Sequence, residues 1–150
     1  MIFLGDDAEL YLDMQEDWFW RQSCFCEERK DDNSNYENLY LVDGDNHVYE
    51  AIKNVRKITS SDKVLIFISQ EALREKLNRY CNKNINIVLV KAGNQAVDNR
   101  IKGYFGNAVK SNKYKNISVI SHDKGYDDLV QKYRRKYGID KSRLSRKDRI

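Results

Sequence analysis

The chain has 150 residues, of which 41% are hydrophobic and 33% charged, and its formal net charge is +4. This length is enough for one globular domain with its own core, so folding requires neither disulfides nor a metal ion. No apolar run approaches the roughly 18–20 residues that span a bilayer, and the acidic amino terminus is unlike a secretory signal, so we expect a cytoplasmic protein without a membrane segment.

The three cysteines also favour a reducing compartment. Cys24 and Cys26 lie too close together to indicate a disulfide framework, and Cys81 leaves the number odd. No histidine lies beside the pair to suggest a zinc site. We therefore expect reduced thiols.

Residues 1–37 form an acidic segment that differs from the rest of the chain. They contain 11 acidic and 3 basic side chains, a balance of −8, whereas residues 38–150 contain 12 acidic and 24 basic side chains, a balance of +12. The stretch "ELYLDMQEDWFWRQSCFCEERK" places Leu10, Met14 and Trp18 on one helical stripe. We expect an amphipathic helical extension, then a polar linker, and a homo-oligomer or a partner protein that binds through this helix.

Residues 38–150 alternate short apolar runs with longer amphipathic stretches. The runs predict four strands, and the stretches between and after them predict four helices, which gives the order βαβαβαβα. Right-handed crossovers then build one parallel sheet with helices on both faces, an α/β fold. The predicted strands are residues 39–43, 64–69, 85–90 and 117–121, and the predicted helices are residues 46–57, 70–79, 94–110 and 124–137.

Five aspartates are expected at the carboxyl edge of this sheet, where ligands bind in open parallel sheets. Asp43 and Asp45 leave the end of the first strand, and Asp123 lies two residues beyond the fourth. Asp127 follows one helical turn later, and Asp98 lies early in the third helix. Carboxylates that converge on one cleft repel one another, and a hard cation such as Mg²⁺ or Mn²⁺ relieves that repulsion. A metal held in this way can activate water for phosphodiester hydrolysis.

Three strings, "YLVDGDN" at 40–46, "AVDNRI" at 96–101 and "ISHDKGYDDLV" at 120–130, resemble the acidic motifs of the NYN and PIN-like nuclease families, in the same order. The resemblance covers residues 38–138. It implies a PIN-like (flavodoxin-like) three-layer sandwich with a central, mostly parallel sheet, divalent metal ions, and cleavage of RNA or in some members DNA. We expect single-stranded RNA. By position, the catalytic and metal-site carboxylates are Asp43, Asp98, Asp123 and Asp127, with Asn46 as a polar neighbour.

The sequence departs from this pattern in two respects. Families of this kind usually have a fifth strand after the last motif, but residues 138–150 offer only a short candidate near Ile139, so we expect a sheet truncated at one edge and a basic tail that contacts phosphate or is disordered. Asp98 has no second carboxylate nearby, which favours one metal ion over two.

The substrate-binding candidates are polar side chains next to the acids. His47, His122 and Lys124 neighbour them in sequence and, with Asn46, are positioned to contact nucleic acid. The alternative interpretation places the histidines and Lys124 on an ordinary solvated surface.

Two other functions fit parts of the pattern. Asp43 and Asp45 have the spacing of the paired aspartates of haloacid-dehalogenase-type phosphatases, with Asp43 as nucleophile and Ser69 after the next strand, but Asn46 and His47 stand where a Gly-Thr pair is expected. A non-catalytic nucleic-acid-binding module that keeps the fold is the third interpretation.

Overall fold

The structure is a computed structural model that describes residues 36–91, 93 and 95–150. The predicted amphipathic helix and most of its linker lie outside the described residues. Tyr36 and Glu37 are already tied to the body, because the Tyr36 hydroxyl donates to the Lys83 carbonyl (3.4 Å) and the Glu37 carbonyl accepts from the amides of Lys115 and Asn116. These contacts tie the first described residues to the body, and the predicted boundary between residues 37 and 38 stays a prediction.

Five parallel strands form one sheet in the order β3-β2-β1-β4-β5. The order reverses between β3 and β4, so β1 and β4 are neighbours at the centre. The strands are β1 (Asn38–Asp43), β2 (Asp62–Ile68), β3 (Ile85–Leu89), β4 (Asn116–Ile120) and β5 (Leu144–Lys147), and the helices are α1 (Val48–Ala51), α2 (Glu71–Leu77), α3 (Ala96–Ser111) and α4 (Tyr126–Tyr137), with 3₁₀ turns at Val55–Lys57 and Asn78–Tyr80.

Two hydrophobic cores lie on opposite faces of the sheet and make the fold a three-layer sandwich. Leu39 and Leu41 of β1 pack in the core that includes residues of α3 and α4, and Val42 packs in the core that includes residues of α1 and α2. Successive side chains of a strand point to opposite faces, so a strand covered on both faces has an almost continuous apolar sequence. The predicted α/β sandwich is confirmed.

The prediction of a sheet truncated to four strands is wrong, because residues 144–147 add β5 beside β4. Leu144 is buried, the Ile117 amide donates to the Arg143 carbonyl (2.8 Å), and the Ser121 amide donates to the Lys147 carbonyl (2.9 Å). Beyond the strand, the Ile150 amide donates to the Ala51 carbonyl at 3.0 Å. The predicted basic tail is thus part of the folded domain.

The arginines of this carboxyl-terminal region bind protein groups. Arg134 donates to the carbonyls of Lys141 and Leu144, and Arg143 donates to the carbonyls of Tyr114 and Lys115. These contacts hold the connection between α4 and β5 against the domain. The positive charge of the sequence is therefore partly used to satisfy backbone carbonyls.

Two expectations about cysteines and membranes can be compared with the described residues. Cys81, which we expected to be reduced, is disulfide-bonded. Cys24 and Cys26 lie outside the described residues. Within the part of the chain that the structure describes, no helix is long and apolar enough to cross a membrane.

Gly44 allows the chain to leave β1 in close contact with β2. Its amide donates to the Phe67 carbonyl at 2.7 Å, and an added Cβ would lie 2.6 Å from that carbonyl oxygen and 2.4 Å from Cγ2 of Ile68. Real Cβ atoms do not approach backbone oxygens so closely. A side chain at this position would displace the end of β1.

We predict that Gly44→Ala lowers the free energy of unfolding by about 1–3 kcal/mol, the usual cost of overpacking. Urea denaturation of the wild type and the variant measures this change. Gly93→Ala is the matched control, because its Cβ would meet Ala96 at an ordinary 3.9 Å. Equal losses in the two variants would contradict the close-approach explanation.

Candidate active site

The candidate site lies at the carboxyl ends of β1 and β4, where the strand order reverses. β1 ends at Asp43, and β4 is followed directly by Ser121. Connections on either side of this point run to opposite faces of the sheet, which opens a crevice at the ends of the two strands. The fold thus brings the first and third acidic motifs together.

Asp43 is a nearly buried carboxylate, 8% exposed, at the end of the central strand. Its Oδ2 atom accepts hydrogen bonds from the Ser121 hydroxyl (3.3 Å) and the Tyr126 hydroxyl (3.5 Å), and its Oδ1 atom accepts from the Asp45 amide (3.3 Å). Burial raises the pKa of Asp43, the hydrogen bonds from Asp45 and Ser121 oppose that rise, and the charges of Asp45 and Asp98 add to it. The fold holds this acid where its negative charge is unfavourable.

Tyr126 joins the acid of β1 to the acid of α3. Its side chain is fully buried, its hydroxyl donates to Asp43 (3.5 Å), and the charge of Asp98 acts on the same hydroxyl. Burial, together with the charges of Asp43 and Asp98, raises the pKa of Tyr126, so the hydroxyl stays protonated and donates. Asp98 lies in the first turn of α3, and Lys102, one turn later, pairs with it at 2.8 Å.

Asp123 lies in the turn between β4 and α4 and is exposed. Its amide donates to the Ser121 hydroxyl oxygen (3.0 Å), and its Oδ1 atom accepts from the Gly125 amide (2.8 Å). Asp123 also contributes, as the smallest of the named causes, to the raised pKa of Tyr126. It therefore lies on the same side of the crevice as Asp43 and Asp98, with one oxygen committed to the turn.

Asp127, the fourth predicted acid, faces β5. Its Oδ1 atom lies 2.8 Å from Nε of Arg146, and the two side chains are 48% and 14% exposed. Arg146 also donates to the Ser121 carbonyl (2.8 Å) and to Asp148 (2.9 Å). The structure thus brings Asp43, Asp98 and Asp123 around Tyr126 and engages Asp127 elsewhere.

The predicted substrate-binding residues lie along the same edge of the sheet. The rings of His47 and His122, which follow β1 and β4, meet edge to face with centroids 5.2 Å apart. Both are exposed, as is Lys124, and Asn46 is half-buried. His47 adopts a left-handed backbone conformation (φ 53°) at the start of α1. These side chains form an accessible polar rim beside the acids.

Sequence reasoning missed three residues that organise the site. The sequence predicts Ser121 as the end of a strand, Tyr126 as a residue of a helical stretch and Arg146 as part of a basic tail, and it gives none of them a role at the site. Ser121 and Tyr126 lie inside the recognised "SHDKGYD" string, so their place in the motif was the available signal. Arg146 had no such signal, because its strand has no apolar run.

Asp45 has a structural contact that accounts for its place in the sequence. Its carboxylate accepts hydrogen bonds from the amide (3.0 Å) and the hydroxyl of Ser69, at the end of β2. Asp45 therefore ties the turn after β1 to the neighbouring strand. In "VDGDN", one aspartate faces the crevice, the glycine permits the close approach, and the second aspartate anchors the turn.

A five-stranded parallel sheet of this order, with acids at the reversal of strand order, defines the class of PIN-like α/β domains. The chain belongs to the PIN domain family, whose model matches residues 37–144. No curated protein and no solved structure shows a significant match to the chain. The predicted PIN-like nuclease domain is confirmed, and the assignment to the NYN families in particular stays a prediction.

PIN domains are usually metal-dependent nucleases, so the donor atoms of this chain must be compared with what a metal needs. Among residues 36–91, 93 and 95–150, no three His, Cys, Asp or Glu side chains form a preformed metal-binding group. Mg²⁺ usually binds proteins through one or two carboxylates and keeps water or substrate phosphate as its other ligands. Asp43 accepts a hydrogen bond from Tyr126, and the charge of Asp98 acts on the same hydroxyl, so both acids supply hard oxygen donors that fit such an ion.

We predict that Asp43→Asn raises the melting temperature at neutral pH and flattens the dependence of stability on pH. Because the pKa of Asp43 is raised in the folded protein, the wild type is relatively most stable below the pKa of the unfolded chain and loses stability as pH rises through the folded pKa. Thermal unfolding of the wild type and the variant, without divalent metal, measures the difference in melting temperature. The measurements run from about pH 3 to about pH 8, a range that includes the ordinary aspartate pKa.

The control for this experiment is Asp128→Asn, which removes an exposed carboxylate from the same helix that carries Tyr126. It should leave the shape of the pH profile unchanged. A wild-type profile that rises with pH relative to Asp43→Asn would show that the Asp43 carboxylate is stabilised in its charged form, against the burial argument.

Proposed function

We propose that the protein is a Mg²⁺- or Mn²⁺-dependent endonuclease that cleaves single-stranded RNA, with Asp43, Asp98 and Asp123 at its active site. The observation that carries the proposal is the burial of Asp43, with its raised pKa, against Ser121 and Tyr126 at the end of the central strand of a PIN domain. A buried acid with a raised pKa in a crevice is typical of functional sites.

Asp43 and Asp98 would hold the metal ion, with Asp123 beside them. When bound, the ion supplies Lewis-acid activation of water and neutralises charge on the phosphodiester. The residues of the chain have separate tasks. Tyr126 donates its hydrogen bond to Asp43 and orients that carboxylate, and Ser121 also holds Asp43 from the end of β4. The resemblance implies that Asp127 is a fourth metal-site acid. Its carboxylate pairs with Arg146 of β5, so we leave it out of the proposed site.

The proposed substrate contacts lie on the polar rim. Asn46, His47, His122 and Lys124 are positioned to bind phosphates or bases next to the acids. Residues 38–150 carry a balance of +12, which favours association with a polyanion. Single strands are proposed over duplexes because they expose both backbone and bases to such a rim. RNA is proposed over DNA because the resemblance implies cleavage of RNA, and of DNA only in some members.

The phosphatase alternative needs Ser69 beside the nucleophile Asp43, whereas Ser69 is hydrogen-bonded to Asp45. This contact disfavours the phosphatase. The non-catalytic alternative keeps the fold and the nucleic-acid binding without strand scission, and the activity experiment below separates it from the nuclease.

We predict that the protein cleaves single-stranded RNA in Mg²⁺ or Mn²⁺, that EDTA stops the reaction, and that Asp43→Asn lowers the rate by roughly 10²–10³-fold, the scale of losing a group that stabilises a transition state. The loss should occur without loss of folding, because the substitution removes an unfavourably buried charge. Cleavage of a fluorescent oligoribonucleotide, with the same DNA sequence alongside, measures activity and sugar preference.

Asp128→Asn should cleave at the wild-type rate in the same assay. Binding of the oligonucleotide without cleavage by the wild type, in either metal, would support the non-catalytic module. Undiminished cleavage by Asp43→Asn would reject the site.

The acidic extension is proposed to assemble copies of the protein or to bind a partner, in the cytoplasm. We predict that removal of residues 1–34, which spares the contacts of Tyr36 and Glu37 with the body, converts an oligomer into a monomer. Equilibrium sedimentation of the full chain and the truncated chain at equal concentration tests this outcome. Two monomers would contradict assembly, and tighter RNA binding by the truncated chain at low salt would instead indicate that the extension competes with nucleic acid.

A further inference from the structure

Arg146 contacts two carboxylates and the backbone at one edge of the candidate site. It donates from Nε to Asp127, and from one terminal nitrogen to Asp148 (2.9 Å) and to the carbonyl of Ser121 (2.8 Å). Its side chain is only 14% exposed, so these contacts are made in a partly desolvated position. The hydrogen bonds that Arg146 donates to Asp127 and Asp148 raise its pKa, which keeps the guanidinium charged.

We propose that Arg146 is a positioning residue that holds the Asp127 carboxylate away from the metal-binding acids. The ion is then held by Asp43 and Asp98, with Asp123, and Asp127 does not bind it. The inference rests on the proposed function and concerns the regulation of the same site. The resemblance to PIN-like nucleases implies that Asp127 is a metal-site acid. The observed ion pair instead holds its carboxylate against Arg146 of β5.

The physical reason is electrostatic. Asp127 follows Tyr126 directly in α4, and Tyr126 contacts Asp43, so an unpaired Asp127 carboxylate would add a further negative charge near the other acids. Arg146 neutralises that charge. Asp148 also pairs with Arg146, so the guanidinium remains compensated if Asp127 turns toward the crevice.

The same guanidinium also supports the acids that remain. Ser121, whose carbonyl Arg146 binds, donates its hydroxyl to Asp43 and accepts the amide of Asp123. Arg146 therefore contacts the turn that carries Ser121 and Asp123, and Ser121 in turn holds Asp43 at the end of β1.

The test is Mn²⁺ binding to the full chain without RNA, measured by the electron paramagnetic resonance signal of free Mn²⁺. Arg146→Gln frees Asp127, and the added charge should lower the dissociation constant by about threefold or more, since cation affinity rises with the charge of the ligand set. In Arg146→Gln/Asp127→Asn the gain should disappear, which identifies Asp127 as its source. A purely structural role for Arg146 would weaken binding in both variants.

Two further variants complete the experiment. Asp127→Asn alone should leave the dissociation constant within about twofold, whereas Asp98→Asn should raise it by roughly tenfold or more, as expected on loss of a ligand. Arg143→Gln is the matched control, because Arg143 lies just before β5, binds the backbone carbonyls of Tyr114 and Lys115, and should not alter Mn²⁺ binding.

The outcomes separate this inference from the proposed function. A loss of affinity in Asp127→Asn equal to that in Asp98→Asn would make Asp127 a ligand already and overturn the inference. No gain in Arg146→Gln would overturn it as well, and Asp127→Asn keeps the test decisive if Arg146→Gln does not fold. A wild type that binds no Mn²⁺ would instead reject the metal-dependent function on which the inference rests.

Discussion

β2 and β3 lie on one side of β1, and β4 and β5 lie on the other. This change of side makes β1 and β4 neighbours and places the connections that follow them on opposite faces of the sheet. The gap at their carboxyl ends is where Asp43, Ser121 and Asp123 emerge. No loop has to be folded over the sheet to bring these groups together, because the register of two parallel strands already does so. The position of every candidate site residue follows from that register and from the helices that pack on one face.

The gap is also the place where the fold retains an unfavourable charge. Most of β1 is apolar, and an apolar residue at position 43 would add to the core, yet the strand ends in a carboxylate held by Ser121 and Tyr126. These neighbours are hydroxyl donors, and Lys102 pairs with Asp98. A buried carboxylate held only partly by hydroxyls lowers stability, as expected where function and stability conflict.

The sequence predicted the features that depend on hydrophobic pattern and on motif order. The four apolar strands, the two-sided sheet and the acids after β1 and β4 all follow from patterns of buried residues, and the PIN domain was recognised from three short strings. The long amphipathic helices were also placed correctly, with α3 at Ala96–Ser111 and α4 at Tyr126–Tyr137.

Features that depend on contacts between distant residues could not be predicted. Leu144 is the one buried residue of β5, and the other three residues of the strand are polar. The strand therefore has no apolar pattern from which it could be predicted. The predicted helix at residues 46–57 is instead α1 and a 3₁₀ turn, because the tight exit from β1 places His47 in a left-handed conformation. The pairing of Asp127 with Arg146 joins residues 19 apart, and a spacing of that kind carries no local pattern.

The polarity of β5 has a consequence for the behaviour of the molecule in concentrated solution. A strand at the border of a sheet presents unpaired amide and carbonyl groups, and another chain can dock on them and begin aggregation. β5 has four residues, and Ser145, Arg146 and Lys147 give it hydroxyl and positively charged side chains. Two copies that approached each other along this border would bring their exposed Lys147 side chains together and would have little apolar surface to bury. The border strand thereby protects the sheet from growing by addition of further copies.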